Sequence, residues 1–339
     1  MKLPVSKLIL FPMIILVCSY SYGHHGLSRF DAGTTITLQG NILRVEWVNP
    51  HVSITIRVVD EAGKVTEWEV EGPPPAMLAR VGWSRETLRA GSPITASGNP
   101  TKSPSNLLYG TNIQPIEGME FDQSQSISVL MGDREASESD ASSLEGLWLT
   151  LLSPTQLAIY SGQGAAEGLT DGGRAALRAF DESTMNPGVD CVRNPAPASM
   201  VMPDLKKITF EEDVIVIESN YDNARRVIRM ESDSVVEAIA SNQGYSLGRW
   251  EGDTLVIETS HFSDHAMGNK WGVPSGPQKY LREEITLNTD TNSISYSYEL
   301  SDPEFLTEVI SGTAEWVYRP EMEFVTFECD IEAARRFLQ

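Results

Sequence analysis

The stretch that decides the fold of the N-terminal region is TTITLQGNILRVEWVNPHVSITIRV, residues 34–58. In its first part, apolar residues such as Ile36 and Leu38 alternate with polar neighbours. A period of two predicts a β-strand that buries one face. Asn49-Pro50 interrupts the pattern, and the alternation that resumes after it predicts a second strand.

The elements that follow these two strands have the order of a small barrel. Residues 65–70 predict a third strand, residues 76–81 a short helix, and residues 94–97 and 107–113 two more strands. Three strands, a helix and two strands are the element order of an OB-fold, a small Greek-key barrel. We therefore expect an OB-like five-stranded barrel over residues 24–118.

The rest of the chain is also rich in predicted strands. Residues 119–145 are rich in Ser, Asp, Glu and Gln and predict an acidic, Ser-rich linker. Residues 146–339 contain a helix capped by Thr170, a Pro-rich loop and then nine short strands, the last at Phe324 to Cys329. This pattern predicts an antiparallel β-barrel or sandwich with one or two short helices. The fold class expected for the whole chain is mainly β.

The charge balance restricts the classes of partner. The chain has 47 acidic and 26 basic residues, a formal net charge of -21 and a pI near 4.6. Many OB barrels bind oligonucleotides, but phosphate recognition needs a basic patch. We therefore expect no nucleic-acid partner, and acidic membrane surfaces are disfavoured for the same reason.

Residues 1–23 have the pattern of a secretory signal peptide. Lys2 and Lys7 precede an apolar run from Leu8 to Cys18, and the segment ends at Gly23. The apolar run is too short to span a bilayer, so we expect cleavage and no membrane span; the alternative is that the segment remains as an anchor. The protein is therefore expected to be periplasmic or secreted.

Two cysteines, Cys191 and Cys329, remain once the leader is removed. In an oxidising compartment two cysteines predict one disulfide, here between the Pro-rich loop and the last predicted strand. The alternative is a pair of buried free thiols. A thiol enzyme is disfavoured, because neither cysteine has the basic surroundings that stabilise a thiolate.

Three of the five histidines, His24, His25 and His51, form a candidate copper site. Cleavage after Gly23 makes His24 the N-terminus, where its amine and ring nitrogen chelate one metal and His25 or His51 adds a further imidazole. Cleavage one residue earlier gives Gly23-His24-His25, whose amine, two amides and third-residue imidazole suit a square-planar ion. Nitrogen-rich tetragonal sets favour Cu(II). The alternative is two exposed histidines on a flexible terminus, with His51 simply following a turn proline.

His261, Asp264 and His265 form a second, weaker cluster after a predicted strand. On a helical turn the two histidines, four residues apart, share a face and can bind a metal. Asp264 can instead orient His261 as a general base. The alternative is a polar loop without chemistry, which is favoured because no nucleophile is indicated.

Two further residues have specific expectations. Trp250, on a predicted strand, is expected in the core, because an inward-facing aromatic residue normally packs there. A buried Arg226 needs a carboxylate partner such as Glu258 or Asp253, in a pair that either is structural, which is favoured, or binds a substrate acid.

The N-terminal half resembles a known bacterial family. His24-His25-Gly26, the run from Glu46 through Trp47 to Asn49-Pro50-His51, and Gly82-Trp83 are similar to the secreted proteins grouped as domain of unknown function 6152. The resemblance covers about residues 24–115. The later run Gly248-Arg249-Trp250-Glu251-Gly252-Asp253 resembles a second group of uncharacterised exported bacterial proteins. Neither resemblance implies an established activity.

Three functional hypotheses follow from these observations. The first is a periplasmic binding protein with an N-terminal copper site and a C-terminal barrel that holds a small apolar or anionic ligand. The second is an enzyme that uses copper or the His261 and Asp264 pair. The third is a structural envelope module. The sequence indicates neither the ligand nor the oligomeric state.

Overall fold

The fold is a pair of closed β-barrels joined at an interface to which the C-terminal segment contributes. In the computed structural model the described residues are 29–80, 82–115, 120–122, 137, 139–151, 166–230 and 238–336. Strands dominate both parts, as the sequence predicts. Within the described residues, no helix is both long enough and apolar enough to cross a membrane.

The N-terminal barrel has five strands and one short helix. Its elements are β1 (Ile36–Glu46), β2 (Ser53–Val59), β3 (Val65–Glu71), α1 (Pro75–Arg80), β4 (Pro93–Pro100) and β5 (Leu107–Pro115). Antiparallel pairs join β3, β2, β1, β4 and β5 in that order, and a parallel pairing of β3 with β5 closes the barrel. This strand order confirms the predicted OB-like barrel.

The core of the small barrel is apolar. Alternate residues of its strands, such as Ile54 and Ile56, are fully buried, which is the expected result of the period-two pattern. Phe327 comes from the far end of the chain and packs in the same core. Phe121, on a two-residue strand β6 (Phe121–Asp122) inside the predicted linker, is also buried there.

The C-terminal barrel has nine strands. They are β7 (Gly146–Thr150), β8 (Leu205–Phe210), β9 (Val214–Ser219), β10 (Arg225–Met230), β11 (Tyr245–Glu251), β12 (Thr254–Ser260), β15 (Tyr280–Asn288), β16 (Ser293–Ser301) and β17 (Ile310–Tyr318). The hairpin β13 (His265–Lys270) and β14 (Val273–Ser275) lies outside the ring. Of the two predicted alternatives, barrel and sandwich, the structure has the barrel.

Two details of the predicted second domain are wrong. The β10–β11 pair is parallel, so the barrel is not purely antiparallel. The segment Phe324 to Cys329 is not a strand; its Cys329 forms only an isolated bridge with Asn49, and β7 takes the place in the ring. An alternating segment forms a strand only when a neighbouring strand edge is available. Here Phe324 packs against the large barrel, whereas Val325 and Phe327 pack against the small one.

The inside of the large barrel contains a fully buried polar network. Arg226 on β10 donates from Nη1 to Glu283 Oε1 on β15 at 2.7 Å, and its Nη2 forms an ion pair with Oε2. Ser246, Thr259 and Tyr296 complete the network, with the Tyr296 hydroxyl 2.8 Å from Glu283. The predicted carboxylate partner of Arg226 is thus correct in type but wrong in identity.

Short helices and turns close one end of the large barrel. They are α2 (Asp171–Ala179), α3 (Glu182–Met185), a 3₁₀ turn (Pro187–Asp190), α4 (Ala198–Val201) and, near the end of the chain, α5 (Ile331–Arg336). Thr170 caps α2 through a hydrogen bond from the Gly173 N–H at 3.0 Å, as predicted. The expected linker also contributes to this barrel, because Ala141 and Leu144 pack in its core.

Candidate functional site

A cavity of about 180 Å³ lies between the two barrels. The small barrel contributes Asn49, Pro50 and His51 from the β1–β2 loop. The large barrel contributes the segment from Glu182 to Met202, the β9–β10 loop and the β13–β14 hairpin. Because both barrels line it, the cavity exists only when they are docked together.

The loop that carries His51 is held in place by backbone and side-chain hydrogen bonds. Asn49 Nδ2 donates to the carbonyl of Tyr221 at 2.8 Å and to that of Phe327 at 3.1 Å. The Asn49 N–H donates to the Glu328 carbonyl at 2.9 Å. Asn49 is buried and contacts both the large barrel and the C-terminal segment. Three parts of the chain therefore meet at this point of the cavity wall: the β1–β2 loop, the β9–β10 loop and the C-terminal segment.

His51 is held by a buried carboxylate. Its Nδ1 lies 2.6 Å from Oε1 of Glu71, whose side chain is 3% exposed, whereas that of His51 is 19% exposed. In the neutral ring, Nδ1 donates to Glu71 and the lone pair is therefore on Nε2. Arg29 lies close enough to act on the same carboxylate: burial lowers the pKa of Arg29 and the charge of Glu71 opposes this.

The Cys191–Cys329 disulfide forms part of the cavity wall and confirms the predicted pairing. It joins the turn after the 3₁₀ helix to the C-terminal segment, residues 138 apart in sequence. Asp190 accepts a hydrogen bond from Arg335 Nε at 2.9 Å beside the bridge. The C-terminal segment contacts the small barrel. The disulfide links this segment to the 3₁₀ turn, which contacts β13 of the large barrel.

The β9–β10 loop supplies a half-buried carboxylate, that of Asp222, to the cavity. Asp222 accepts hydrogen bonds from the Asn194 and Ala224 N–H groups, both at 3.0 Å. Burial raises the pKa of Asp222, and the nearby charge of Asp204 adds to the increase. The neutral acid is therefore favoured more than in water.

The β13–β14 hairpin supplies the opposite wall. Trp271 at its tip packs edge-on against Phe180 with the ring centres 6.2 Å apart. Asn269 Nδ2 donates to Asp302 Oδ2 at 2.8 Å and to the Pro274 carbonyl at 2.7 Å. These contacts attach the hairpin to the barrel, so the indole is a firm part of the cavity wall.

The cluster of His261, Asp264 and His265 does not have the geometry expected from a helical turn. His261 has a left-handed backbone (φ 55°), is exposed and contacts Ser260 Oγ through Nδ1 at 2.8 Å. His265 is the first residue of β13 and is buried, so the two rings do not share a helix face. In the described part of the chain, no hydrogen bond or ion pair joins Asp264 to either histidine.

The environment of His265 is that of a neutral structural side chain. Its Nδ1 accepts a hydrogen bond from the Met267 N–H at 3.2 Å. Burial, followed by the positive charge of Lys279, lowers the pKa of His265 to about 4. A ring whose Nδ1 lone pair is already used accepts no further proton at that atom.

The N-terminal histidines cannot be compared with the structure, because His24 and His25 lie outside the described residues. Among the residues that are described, no three His, Cys, Asp or Glu side chains form a group that could hold a metal ion. Of the predicted copper set His24, His25 and His51, the described residues therefore include His51, which pairs with Glu71.

Several residues at the site were not found by sequence reasoning. Glu71 is the last residue of β3. Its part in the site comes from its contact with the His51 ring, which no local sequence pattern predicts. The run Tyr221-Asp222-Asn223 can be interpreted from the sequence as core or as a ligand platform, but its place on the cavity depends on the loop whose Asn194 N–H donates to Asp222. Trp250, expected in the core, is instead 47% exposed near the end of β11, although its cross-strand partner Leu255 is buried.

Comparison with known proteins adds one finding. Residues 13–108 match the model of a family of unknown function (DUF6152). This match confirms the resemblance in the N-terminal part and covers the small barrel as far as the start of β5. No curated protein matches the chain. The resemblance of the C-terminal half to a second exported group stays a prediction.

Proposed function

We propose that this protein is an exported binding protein that holds a small, mainly apolar ligand in the cavity between its two barrels. The observation that carries the proposal is the cavity itself, which has a largely apolar lining and a few convergent polar groups. Val189, Met202, Met267 and Trp271 are among its apolar walls, and Asp222 is among its polar groups.

The size of the cavity restricts the ligand. Its volume of about 180 Å³ is below the range of about 300–1,000 Å³ that is typical of drug-sized ligand sites. Burial and the nearby charge of Asp204 raise the pKa of Asp222, so a negative charge is disfavoured at this part of the cavity wall. A neutral compound with one ring or a short aliphatic chain therefore fits this site better than an acid.

Binding can be tested with 1-naphthol as a neutral aromatic probe and calorimetry on the purified full chain. We expect saturable one-to-one binding that weakens at least tenfold in Trp271→Ala, because the indole forms part of the cavity wall. Trp250→Ala is the matched control, since that indole is exposed on β11 and does not line the cavity. Equal affinities of the two variants, or no saturable binding, count against the proposal.

Export to the periplasm or the medium is part of the same proposal. It is supported by the signal-like pattern of residues 1–23 and by the disulfide, a type of bond that is rare in reducing compartments. Expression of the full precursor in a secreting bacterium, followed by intact-mass measurement, locates the mature N-terminus. Retention of the uncleaved chain in the cytoplasm would contradict export.

We also propose copper binding by His24, His25 and His51 as a second function. It is supported by the hydrogen-bonded Glu71–His51 pair, because metal-binding histidines usually donate their other ring N–H to a carboxylate or carbonyl. The short segment between His25 and Arg29 keeps His25 near the Glu71–His51 pair. His25 precedes Arg29 by four residues, a span of at most about 14 Å. Arg29 in turn lies beside Glu71.

The copper proposal is tested by titrating the secreted, processed protein with Cu(II) and following the visible d–d band. We expect one equivalent to bind, with His51→Ala shifting the band and weakening binding. Glu71→Gln should reduce the affinity about 10–100-fold, the usual cost of losing an outer partner of a metal ligand. His261→Ala is the matched control, because His261 is an exposed histidine on the other barrel. Identical titrations for His51→Ala and His261→Ala would exclude His51 from the site.

A further inference from the structure

A second cavity, of about 510 Å³, lies on another side of the interface between the barrels. It is lined by residues of the small barrel, by Leu205 and Asn220 of the large barrel and by the segment from Met322 to Phe327. It shares no lining residue with the cavity described above. Neither the sequence patterns nor the proposed function assigns a role to it.

Arg80, the last residue of α1, is the distinctive polar group of this second cavity. Within the described part of the chain, its Nε is buried and has no hydrogen-bond partner. A buried guanidinium N–H without an acceptor is unusual, because charged donors that are removed from water are costly unless they are paired. The missing acceptor is therefore a reason to look for a ligand at this position.

The nearest protein carboxylate does not serve as that acceptor. Asp204 acts on Arg80 electrostatically, but its Oδ1 is engaged by the ammonium group of Lys206. Its Oδ2 accepts from the Ser219 hydroxyl and from the Tyr221 N–H. One carboxylate thus faces two cations, and its oxygens are used by groups other than Arg80.

The charge of Arg80 is retained at neutral pH. Burial lowers the pKa of Arg80 to about 10, while the charge of Asp204 opposes this decrease. Glu86 and Glu323 also line the cavity, but both are exposed. Glu86 interacts with Arg85 and Arg89. These acids therefore lie towards solvent, and the buried part of the cavity keeps a positive centre.

The remaining walls are apolar and aromatic. Trp47, Trp83 and Phe327 line the cavity together with Leu205 and Met322. The guanidinium fork matches the two oxygens of a carboxylate, and the surrounding side chains match an apolar body. We propose that this second cavity binds a small organic carboxylate, with its carboxyl group at Arg80 and its apolar part against Trp83 and Met322.

The test uses benzoate, hexanoate and succinate as carboxylate probes, benzamide as the neutral counterpart of benzoate, and inorganic phosphate. Binding is measured on the full chain by calorimetry and by the indole N–H signals of Trp47 and Trp83 in NMR spectra. We expect at least one carboxylate to bind one-to-one and to move these indole signals. If it is benzoate, benzamide should bind at least tenfold more weakly, because it lacks the charge.

Four variants identify the site. Arg80→Met should weaken carboxylate binding at least tenfold, and Arg80→Lys should weaken it less, because lysine keeps the charge without the fork. Arg44→Met is the matched control: Arg44 pairs with Glu46 on the surface of the same barrel. Trp271→Ala, in the first cavity, should leave carboxylate affinity unchanged, which separates this site from the proposed ligand cavity.

Three outcomes overturn the inference. The first is that none of the carboxylates moves the indole signals at 20 mM. This concentration reveals binding with a dissociation constant of about 10 mM or less. The second is that Arg80→Met binds as well as Arg44→Met, with unfolding midpoints showing that both variants are folded. The third is that phosphate binds at Arg80 and none of the carboxylates does.

Discussion

The two barrels close their sheets in similar ways but fill their interiors differently. The small barrel is filled by aliphatic and aromatic side chains, such as Ile54 and Ile56, and its clustered core is apolar. The large barrel combines apolar residues with the buried network of Arg226 and Glu283. Five adjacent strands, β10, β11, β12, β15 and β16, contribute to that network.

The difference follows from barrel size. The diameter of a barrel grows with the number of its strands, and about eight strands leave an interior that side chains only just fill. With nine strands, long side chains such as Arg226 and Tyr296 occupy the interior, and their polar ends are tolerated there because both bind Glu283. The comparison teaches that the larger barrel depends on the pairing of its buried charges as well as on packing, whereas the smaller one depends on close packing.

The strongest test of this contrast is Glu283→Ala in the large barrel. Removing the carboxylate leaves Arg226 charged and buried, so we expect a loss of about 3–5 kcal/mol in the free energy of unfolding. Urea denaturation gives the loss, and hydrogen exchange of peptides from each barrel shows where it occurs.

Two further variants make the Glu283 test specific. Glu284→Ala is the neighbouring control: Glu284 pairs with Arg282 at the surface, where such pairs contribute only about 0–1 kcal/mol. The double change Arg226→Met with Glu283→Leu should recover most of the stability, because it removes both charges. A small loss for Glu283→Ala would mean that water reaches the barrel interior.

The second prediction concerns pH and Lys279. Burial lowers the pKa of Lys279 to about 7, against the attraction of Asp302 and Glu283. Between pH 7 and about 10 the unfolded chain therefore holds a proton that the folded chain has lost, and stability rises with pH. The slope is at most about 1.4 kcal/mol per pH unit for one group.

The measurement for Lys279 is urea denaturation at several pH values between 6 and 9.5, with Lys279→Met compared to the unchanged protein. The ammonium donates to the carbonyls of Ala196 and Gly268 at 2.8 and 2.6 Å, so the variant also has a pH-independent cost. The prediction concerns the slope alone, which should be flatter in Lys279→Met. Parallel pH profiles would show that Lys279 keeps its proton throughout this range.

The smallest predicted effect compares equivalent packing in the two barrels. Ile54 in the small barrel and Ile257 in the large one are both fully buried. Ile→Val at either position should cost about 0.5–1.5 kcal/mol, because each change removes one buried methylene group from close-packed surroundings. Equal costs would show that the apolar parts of the two interiors are alike. A much smaller cost at Ile257 would show that the large interior adjusts to the lost volume.

The local part of the fold could be predicted from the sequence. The alternation around Ile36 and Leu38, the turn at Asn49-Pro50 and the cap at Thr170 each depend on neighbours along the chain. The partner of Arg226 could not be predicted in the same way. It is set by the pairing of β10, β11, β12 and β15 around the ring, and no local pattern encodes which strands are adjacent.

The candidate site was predictable only in its separate parts. The sequence indicated His51 and the pairing of Cys191 with Cys329, because residue type and compartment suffice for those predictions. It did not indicate that both lie on one cavity, because that depends on how two barrels dock. The hairpin that carries Trp271 was missed for a different reason: its sequence has no clear alternation, and its strands pair only with each other.

The place of Phe327 in the small barrel has a consequence for the order in which this protein is completed. Asn49 bonds to the carbonyl of Phe327, a residue 278 positions later, and the Phe327 ring fills part of the first barrel's core. Synthesis runs from the N-terminus, so the barrel that emerges first lacks this ring until Phe327, 278 residues after Asn49, has been made. A chain truncated before Phe327 lacks a core aromatic group whose loss typically costs about 3–5 kcal/mol. The first barrel thus stays unfinished until Phe327 has been synthesised, and chains that stop before this residue carry an incomplete domain.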